Sequence, residues 1–247
     1  MLATVLAETP RPAAIAAYRA PPCESCAARK LSICSAMRSE DLGRLAASRT
    51  HQSIAAGETL LEEGEPATHF FNMIEGAVKV YKLMPDGRRQ ITGFLFAGDF
   101  LGLAFNDSYT YSAEAVTPVK LCRFPRRQLE RLLDEFPRME RRLLVMASNE
   151  LAVAQEQMML LGRKTAHERI ASFLLALARR EERAGRDGDR LSLPMTRTDI
   201  ADYLGLTTET ASRVFTSLKK QGYIALEAGG VVIADRGALE ELAAGME

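Results

Sequence analysis

Apolar residues change rhythm several times along the chain. From about Ile54 to Phe124, short apolar runs such as Phe70-Phe71-Asn72-Met73-Ile74 and Ala77-Val78-Lys79-Val80-Tyr81 are punctuated by Gly57, Gly64, Gly76, Gly87 and Gly98. These runs are too short for helices, and turn residues recur about every 8–12 positions, so a small β barrel or roll is expected. Pro85-Asp86-Gly87 has the composition of one tight hairpin turn. Near Pro125 the rhythm becomes helical. A short helix is predicted over Arg126 to Glu135, and Pro137 suits the first residue of a second.

Along that second helix Leu144, Ala147, Leu151, Ala154, Met158 and Leu161 recur at steps of three and four. This is an a/d seam sustained over three heptads. Its narrowness suits pairing with one other helix, and so a homodimer, better than burial in a domain core. Gly162 interrupts the pattern. A further helix, from about Thr165 to Glu182, carries Ile170, Phe173, Leu174 and Leu177 on one face. The stretch Arg183 to Arg190 reads as a solvated connection.

Residues Thr196 to Gly222 have helix-turn-helix spacing. Thr198 is the expected N-cap of a helix over Asp199 to Leu204, Gly205 supplies the turn, and Thr207 or Thr208 caps a second helix reaching about Gln221. Ile200, Ala201, Leu204, Val214 and Leu218 would pack between the two. Tyr223 to Leu226 and Val231 to Ala234 then flank Gly229-Gly230 as a hairpin, the wing of a winged helix-turn-helix. The exposed face of the second helix carries Thr208, Glu209, Ser212 and Arg213 early and Lys219 and Lys220 late. Early residues of a recognition helix lie at base edges, where arginine grips guanine and glutamate accepts from cytosine. Lys219 and Lys220 suit phosphates, or are plain solvated charges.

Charge sharpens this picture. Lys plus Arg and Asp plus Glu both total 32, so the net charge is zero and attraction to nucleic acid must come from a local patch. Met1 to Ala20 lacks the order of a signal peptide, and no window resembles a membrane span, so a cytoplasmic location is expected. There the cysteines stay reduced. They are Cys23, Cys26, Cys34 and Cys122, the first three as C-x2-C-x7-C after Pro21-Pro22. A strand over Val119 to Phe124 can present Cys122 to an N-terminal flap. Four thiolates suit tetrahedral zinc or an iron–sulfur cluster, and spacing alone does not separate the two.

In this order, the roll, the seam helix and the winged helix-turn-helix resemble the CRP/FNR superfamily over nearly the whole chain. Thr207-Thr208-Glu209-Thr210-Ala211-Ser212-Arg213 is similar to the E-x-x-S-R recognition helix of its FNR branch. The resemblance implies an α+β chain, not an enzyme, with a cluster-binding segment at 1–50, a cupin-like β-roll at 51–136, a dimerisation helix at 137–162 and a winged helix-turn-helix at 163–247. It also implies an oxygen-labile [4Fe-4S] cluster on Cys23, Cys26, Cys34 and Cys122, with the longer cysteine spacing of alphaproteobacterial relatives. A palindromic site similar to TTGAT would be read by Glu209, Ser212 and Arg213. RNA polymerase would be met through the turn Met84 to Arg88, or that turn simply joins two strands. Arg29 and Lys30 could offset the cluster's negative charge, or lie on the surface.

Members of the superfamily that bind cyclic nucleotides carry an arginine where Tyr111 falls here, so no cyclic nucleotide is expected. His51, His69 and His167 show no pairing that suits haem. Asp86, Asp99, Asp107 and Glu114 yield no nucleophile–base pair. The expected regulator dimerises and binds DNA while its cluster is intact. A zinc-stabilised or clusterless regulator answering another signal is the alternative.

Overall fold

The computed structural model describes residues 22–103 and 107–245. The stretch Met1 to Ala20, where a signal peptide was not expected, lies outside them. A short helix α1 (Leu42–Ala47) leads into the strands β1 (Thr50–Ile54), β2 (Thr59–Leu61), β3 (His69–Glu75), β4 (Val78–Leu83), β5 (Arg89–Leu95), β6 (Phe100–Leu101), β7 (Ser112–Ala115) and β8 (Val119–Pro125). They form two antiparallel four-stranded sheets, ordered β1-β8-β3-β6 and β2-β7-β4-β5. Ile54, Met73, Val78, Leu101, Ala113 and Leu121 fill the space between them. The expected hairpin turn is present: Gly87, at φ +83°, donates its N–H to Met84 O at 2.9 Å.

The roll has a second, outward core. Side chains alternate along β8, so Val119 and Leu121 point inward while Cys122 and Phe124 join a cluster with Ile33, Leu42, Leu45, Phe70, Leu129 and Met139. Helices α2 (Arg126–Glu135) and α3 (Pro137–Arg163) close over that face. The cysteine-bearing segment therefore packs against both the roll and the first turns of α3. Leu31 seats on Gly98, whose φ is +94°; a Cβ there would lie 2.5 Å from that of Leu31. Helix α3 runs through Gly162 without a break and ends only where Lys164 turns extended.

The C-terminal part comprises α4 (Ala166–Arg183), β9 (Arg190–Ser192), α5 (Arg197–Leu204), α6 (Thr208–Lys220), β10 (Ile224–Glu227), β11 (Gly230–Ile233) and α7 (Arg236–Ala244). Two sequence expectations need correction. Helix α5 is capped by Thr196, not Thr198: Thr196 Oγ1 accepts the Asp199 N–H at 3.0 Å while the Asp199 carboxylate accepts the Thr196 N–H at 3.1 Å. This reciprocal pair is worth more than a lone cap and starts the helix a turn's fraction earlier. The connection after α4 is solvated only as far as Asp189, because Arg190–Ser192 pairs with β11 as the third strand of the wing sheet.

The roll and the C-terminal part are locked together by buried charge. Lys79 Nζ lies 2.8 Å from Glu114 and 3.1 Å from Asp199, and Arg89 lies 3.2 Å from Asp199 and 2.8 Å from Asp202. Burial pushes the titration of the Asp199 carboxyl upward, but bonds from Thr196 and Lys79 overcome it and hold the carboxyl below its usual range. Phe94 of β5 packs with Phe173 and Tyr203, and Arg180 lies over Phe96 while pairing with Asp99 at 2.9 Å.

Candidate sulfur centre and nucleic-acid interface

The four cysteines meet. Cys23, Cys26 and Cys34 come from short turns on the flap, and Cys122 rises from the middle of β8; together with Arg29, Arg49, His51, Asn72 and Ile74 they line one cavity of about 20 Å³. All four are free thiols. Ser32 holds the Cys34 turn, its hydroxyl accepting the Cys34 N–H at 3.3 Å. The floor is a row across the sheet. Cys122 stands opposite His51 of β1 on one side and opposite Asn72 of β3 on the other, so the three side chains share a face.

Cations surround the sulfurs. Arg49 donates from Nη2 to Cys23 Sγ at 3.1 Å, and its Nη1 lies 3.0 Å from His51 Nδ1. Arg29 lines the cavity and donates to Met37 O at 3.2 Å. Lys30, the other candidate counter-charge, is exposed. Burial pushes the Cys122 thiol up to about 12 and raises Cys34 as well, with Arg49 opposing it in both. Burial and Arg49 together lower His51 to about 4, so its imidazole is neutral at neutral pH. Sequence reasoning took His51 as isolated and passed over Arg49 and Asn72. Only the register of β1, β8 and β3 brings these residues together.

The flap is tied to the long helix. Arg142 of α3 donates from Nη2 to the Leu31 carbonyl at 2.8 Å. Further along α3, Leu144, Leu151 and Met158 are 67%, 60% and 63% exposed, and Ala154 is exposed too. Ala147 is half-buried and, with Leu144, opens onto a groove of about 550 Å³ that also touches Phe70, Leu103 and Leu143. Leu161 is half-buried because it packs on the C-terminal core beside Gly205. Val145 and Met159 widen the exposed apolar strip.

Helices α5 and α6 meet through buried Ile200, Ala201, Leu204, Val214 and Leu218. Gly205, at φ +62°, makes the turn, and Thr207 caps α6 by accepting the Thr210 N–H at 3.1 Å. The outer face carries Thr208, Glu209, Ser212, Arg213, Lys219 and Lys220, all exposed. Glu209 and Arg213 form an ion pair with each other, and Thr208 Oγ1 donates to Thr198 Oγ1 at 3.3 Å. The mutual pair keeps both base-reading candidates upright on one side of the helix. Among the described residues no helix is long and apolar enough to cross a membrane.

A roll carrying a long exposed helix and a winged helix-turn-helix defines a DNA-binding transcription regulator, not an enzyme. Comparison with known proteins makes this specific. Residues 51–136 match the cyclic nucleotide-binding domain, and residues 168–242 match the Crp-like helix-turn-helix domain. The nitrogen fixation regulation protein FixK of Bradyrhizobium diazoefficiens is 41% identical over 222 residues, covering 90% of this chain and 94% of that protein. The transcriptional activator protein FnrL of Cereibacter sphaeroides is 38% identical over 209 residues, covering 83% and 84%. The solved structure of FixK2 from Bradyrhizobium japonicum superposes with a TM-score of 0.73 at 39% identity, over 78% of this chain and 96% of that one. The chain belongs to the CRP/FNR family of transcription regulators.

Proposed function

We propose that the protein is an oxygen-responsive cytoplasmic regulator that binds a TTGAT-like palindrome as a homodimer while a [4Fe-4S] cluster is held by Cys23, Cys26, Cys34 and Cys122. The observation that carries this reading is the convergence of all four thiols on one cavity beside Arg49 and Arg29. A cluster with four thiolate ligands is anionic, and two guanidiniums at the wall suit it. Among the described residues no three His, Cys, Asp or Glu side chains gather closely enough for a single ion. When bound, a [4Fe-4S] cluster supplies oxygen-sensitive redox chemistry.

The chain's own residues carry the signal onward. Binding at the four cysteines fixes the flap, whose Leu31 rests on Gly98 and accepts from Arg142. That fixes the start of α3, and the exposed strip containing Leu144, Leu151 and Met158 pairs with a second copy. Two α6 helices then face successive turns of DNA. Arg142→Gln is expected to leave iron uptake unchanged but to weaken dimerisation. Anaerobic sedimentation checks this, and a variant that dimerises like wild type removes Arg142 from the relay.

A cyclic nucleotide is not part of this reading, which rests on Tyr111 in place of an arginine; its hydroxyl accepts the Gly102 N–H at 3.1 Å. Exposed Leu83 and Met84 at the β4–β5 turn support contact with RNA polymerase.

The DNA half of the proposal is tested by two substitutions. Arg213→Ala should cost about 1–3 kcal/mol on the preferred palindrome and relax preference at one base pair. Lys219→Ala should weaken all sequences alike and reduce the salt dependence. Anaerobic titrations on specific and random duplexes distinguish them. Equal weakening of both duplexes by Arg213→Ala would remove that residue from base reading.

A further inference from the structure

Among the described residues three buried polar side-chain atoms have no hydrogen-bond partner, and two of them, Arg49 Nε and Asn72 Oδ1, belong to residues that line the cysteine cavity. A buried polar atom without a partner weakens a fold, and natural proteins keep few of them. Two around one cavity point to a partner that enters it. Asn72 is 1% exposed, deep in β3, directly across from Cys122. Leucine would satisfy that environment better if packing were the only demand. Arg49 sits just before β1, with one guanidinium nitrogen already on Cys23 Sγ and another beside His51.

We infer that Arg49 and Asn72 are positioning residues whose N–H groups donate to the sulfur atoms of the bound centre and retain it. This rests on the reading of the four cysteines as ligands of an iron–sulfur cluster. Arg49 Nε–H only donates, and thiolate and sulfide sulfurs only accept; Asn72 joins the same acceptor through its NH2 group once its amide is turned. The direction of the Asn72 amide follows from its partner: with sulfur opposite, the NH2 end turns to the cavity and the oxygen away. Hydrogen bonds to cluster sulfurs stabilise the electron-rich form and so resist oxidation. Arg49 has a second effect, because its bond to Cys23 anchors the ligand nearest the start of the flap. Asn72 and Arg49 approach from opposite neighbours of Cys122, bracketing the roll-borne ligand.

The test uses the full-length protein, its Asn72→Leu variant and its Arg49→Lys variant, each loaded anaerobically with ferrous iron and sulfide. Three quantities are read: iron retained against a ferrous chelator, the decay of visible absorbance on adding air-saturated buffer, and melting temperature before and after loading. Both variants should retain iron about 10–100-fold more weakly than wild type and bleach faster in air. Unloaded Asn72→Leu should melt at or above the wild-type temperature, because a buried polar group without a partner is gone, while its gain on loading shrinks. If Asn72→Leu fails to fold, or melts lower unloaded with its loading gain intact, Asn72 is structural and its assignment falls. If Arg49→Lys holds iron and bleaches as wild type does, the assignment of Arg49 falls. Wild-type protein that takes up no iron and sulfide overturns the cluster reading together with this one. Wild-type protein that loads alongside variants indistinguishable from it overturns this inference alone.

Discussion

Cys122→Ser should leave a folded protein that neither takes up iron nor binds its palindrome without oxygen. Cys122 is the one proposed ligand on the roll, while Cys23, Cys26 and Cys34 share the flap. Three flap thiols can still chelate, but nothing then ties them to β8, and the link from flap to Arg142 loses its anchor. Serine is close in size, and the cavity it enters already holds His51 and Asn72, so loss of fold is not expected. Specific DNA binding exceeds non-specific binding by about 10³-fold or more in proteins of this kind, and that margin should be lost. Fluorescence anisotropy under anoxia, at one fixed salt concentration, measures it. Full iron content with wild-type affinity would remove Cys122 from the ligand set.

Lys79→Met should cost about 3–5 kcal/mol of stability, the penalty for leaving buried charge without its partner. Lys79 is 7% exposed and stands between Glu114 of the roll and Asp199 of α5. Without it, Arg89 alone faces Asp199, Asp202 and, at a distance, Glu114. The denaturant midpoint reports the loss. Hydrogen exchange should show α5 opening more readily, since Asp199 also forms half of the cap at Thr196. In an Asp199→Asn background the same substitution should cost less, because the two residues share one interaction. A full, additive cost in the double variant would mean that Lys79 acts through Glu114 and packing and not through Asp199. Because the folded Asp199 carboxyl lies below its ordinary value, its contribution is complete above the unfolded value of about 3.9. That contribution is lost as pH falls through the folded one.

Much of this architecture was legible in the chain, where local rules are strong. Proline fixed the start of α3, short apolar runs between regularly spaced turns marked the roll, and Gly205 between capped helices gave the helix-turn-helix. The misses have physical causes. Strand β9 spans only Arg190–Ser192, with one buried side chain, Leu191, so it has too little periodicity to stand out from a loop. Thr198 and Thr196 are both plausible caps, and the choice was settled by Asp199 reaching back to Thr196. Helix α3 shows why a stripe cannot name its own partner. Leu151 and Met158 stay exposed, yet Leu161, in the same periodic series, turns to the C-terminal core of its own chain.

The sulfur site divides in the same way. Four cysteines were visible as chemistry, but His51, Asn72 and Cys122 lie far apart in sequence and meet only through the pairing of β1 and β3 with β8. No spacing rule encodes that row. Arg49 is equally silent, because an arginine before a strand is ordinarily a surface charge.

The central claim is the sulfur centre, and protein purified without air tests it most directly. Iron, acid-labile sulfide and zinc are measured on the same sample, with its visible spectrum recorded before and after air is admitted. About four iron and four sulfide per chain are expected, in a brown protein that bleaches in air. One equivalent of zinc without sulfide, or a metal-free protein that binds its palindrome equally well with and without oxygen, would contradict it.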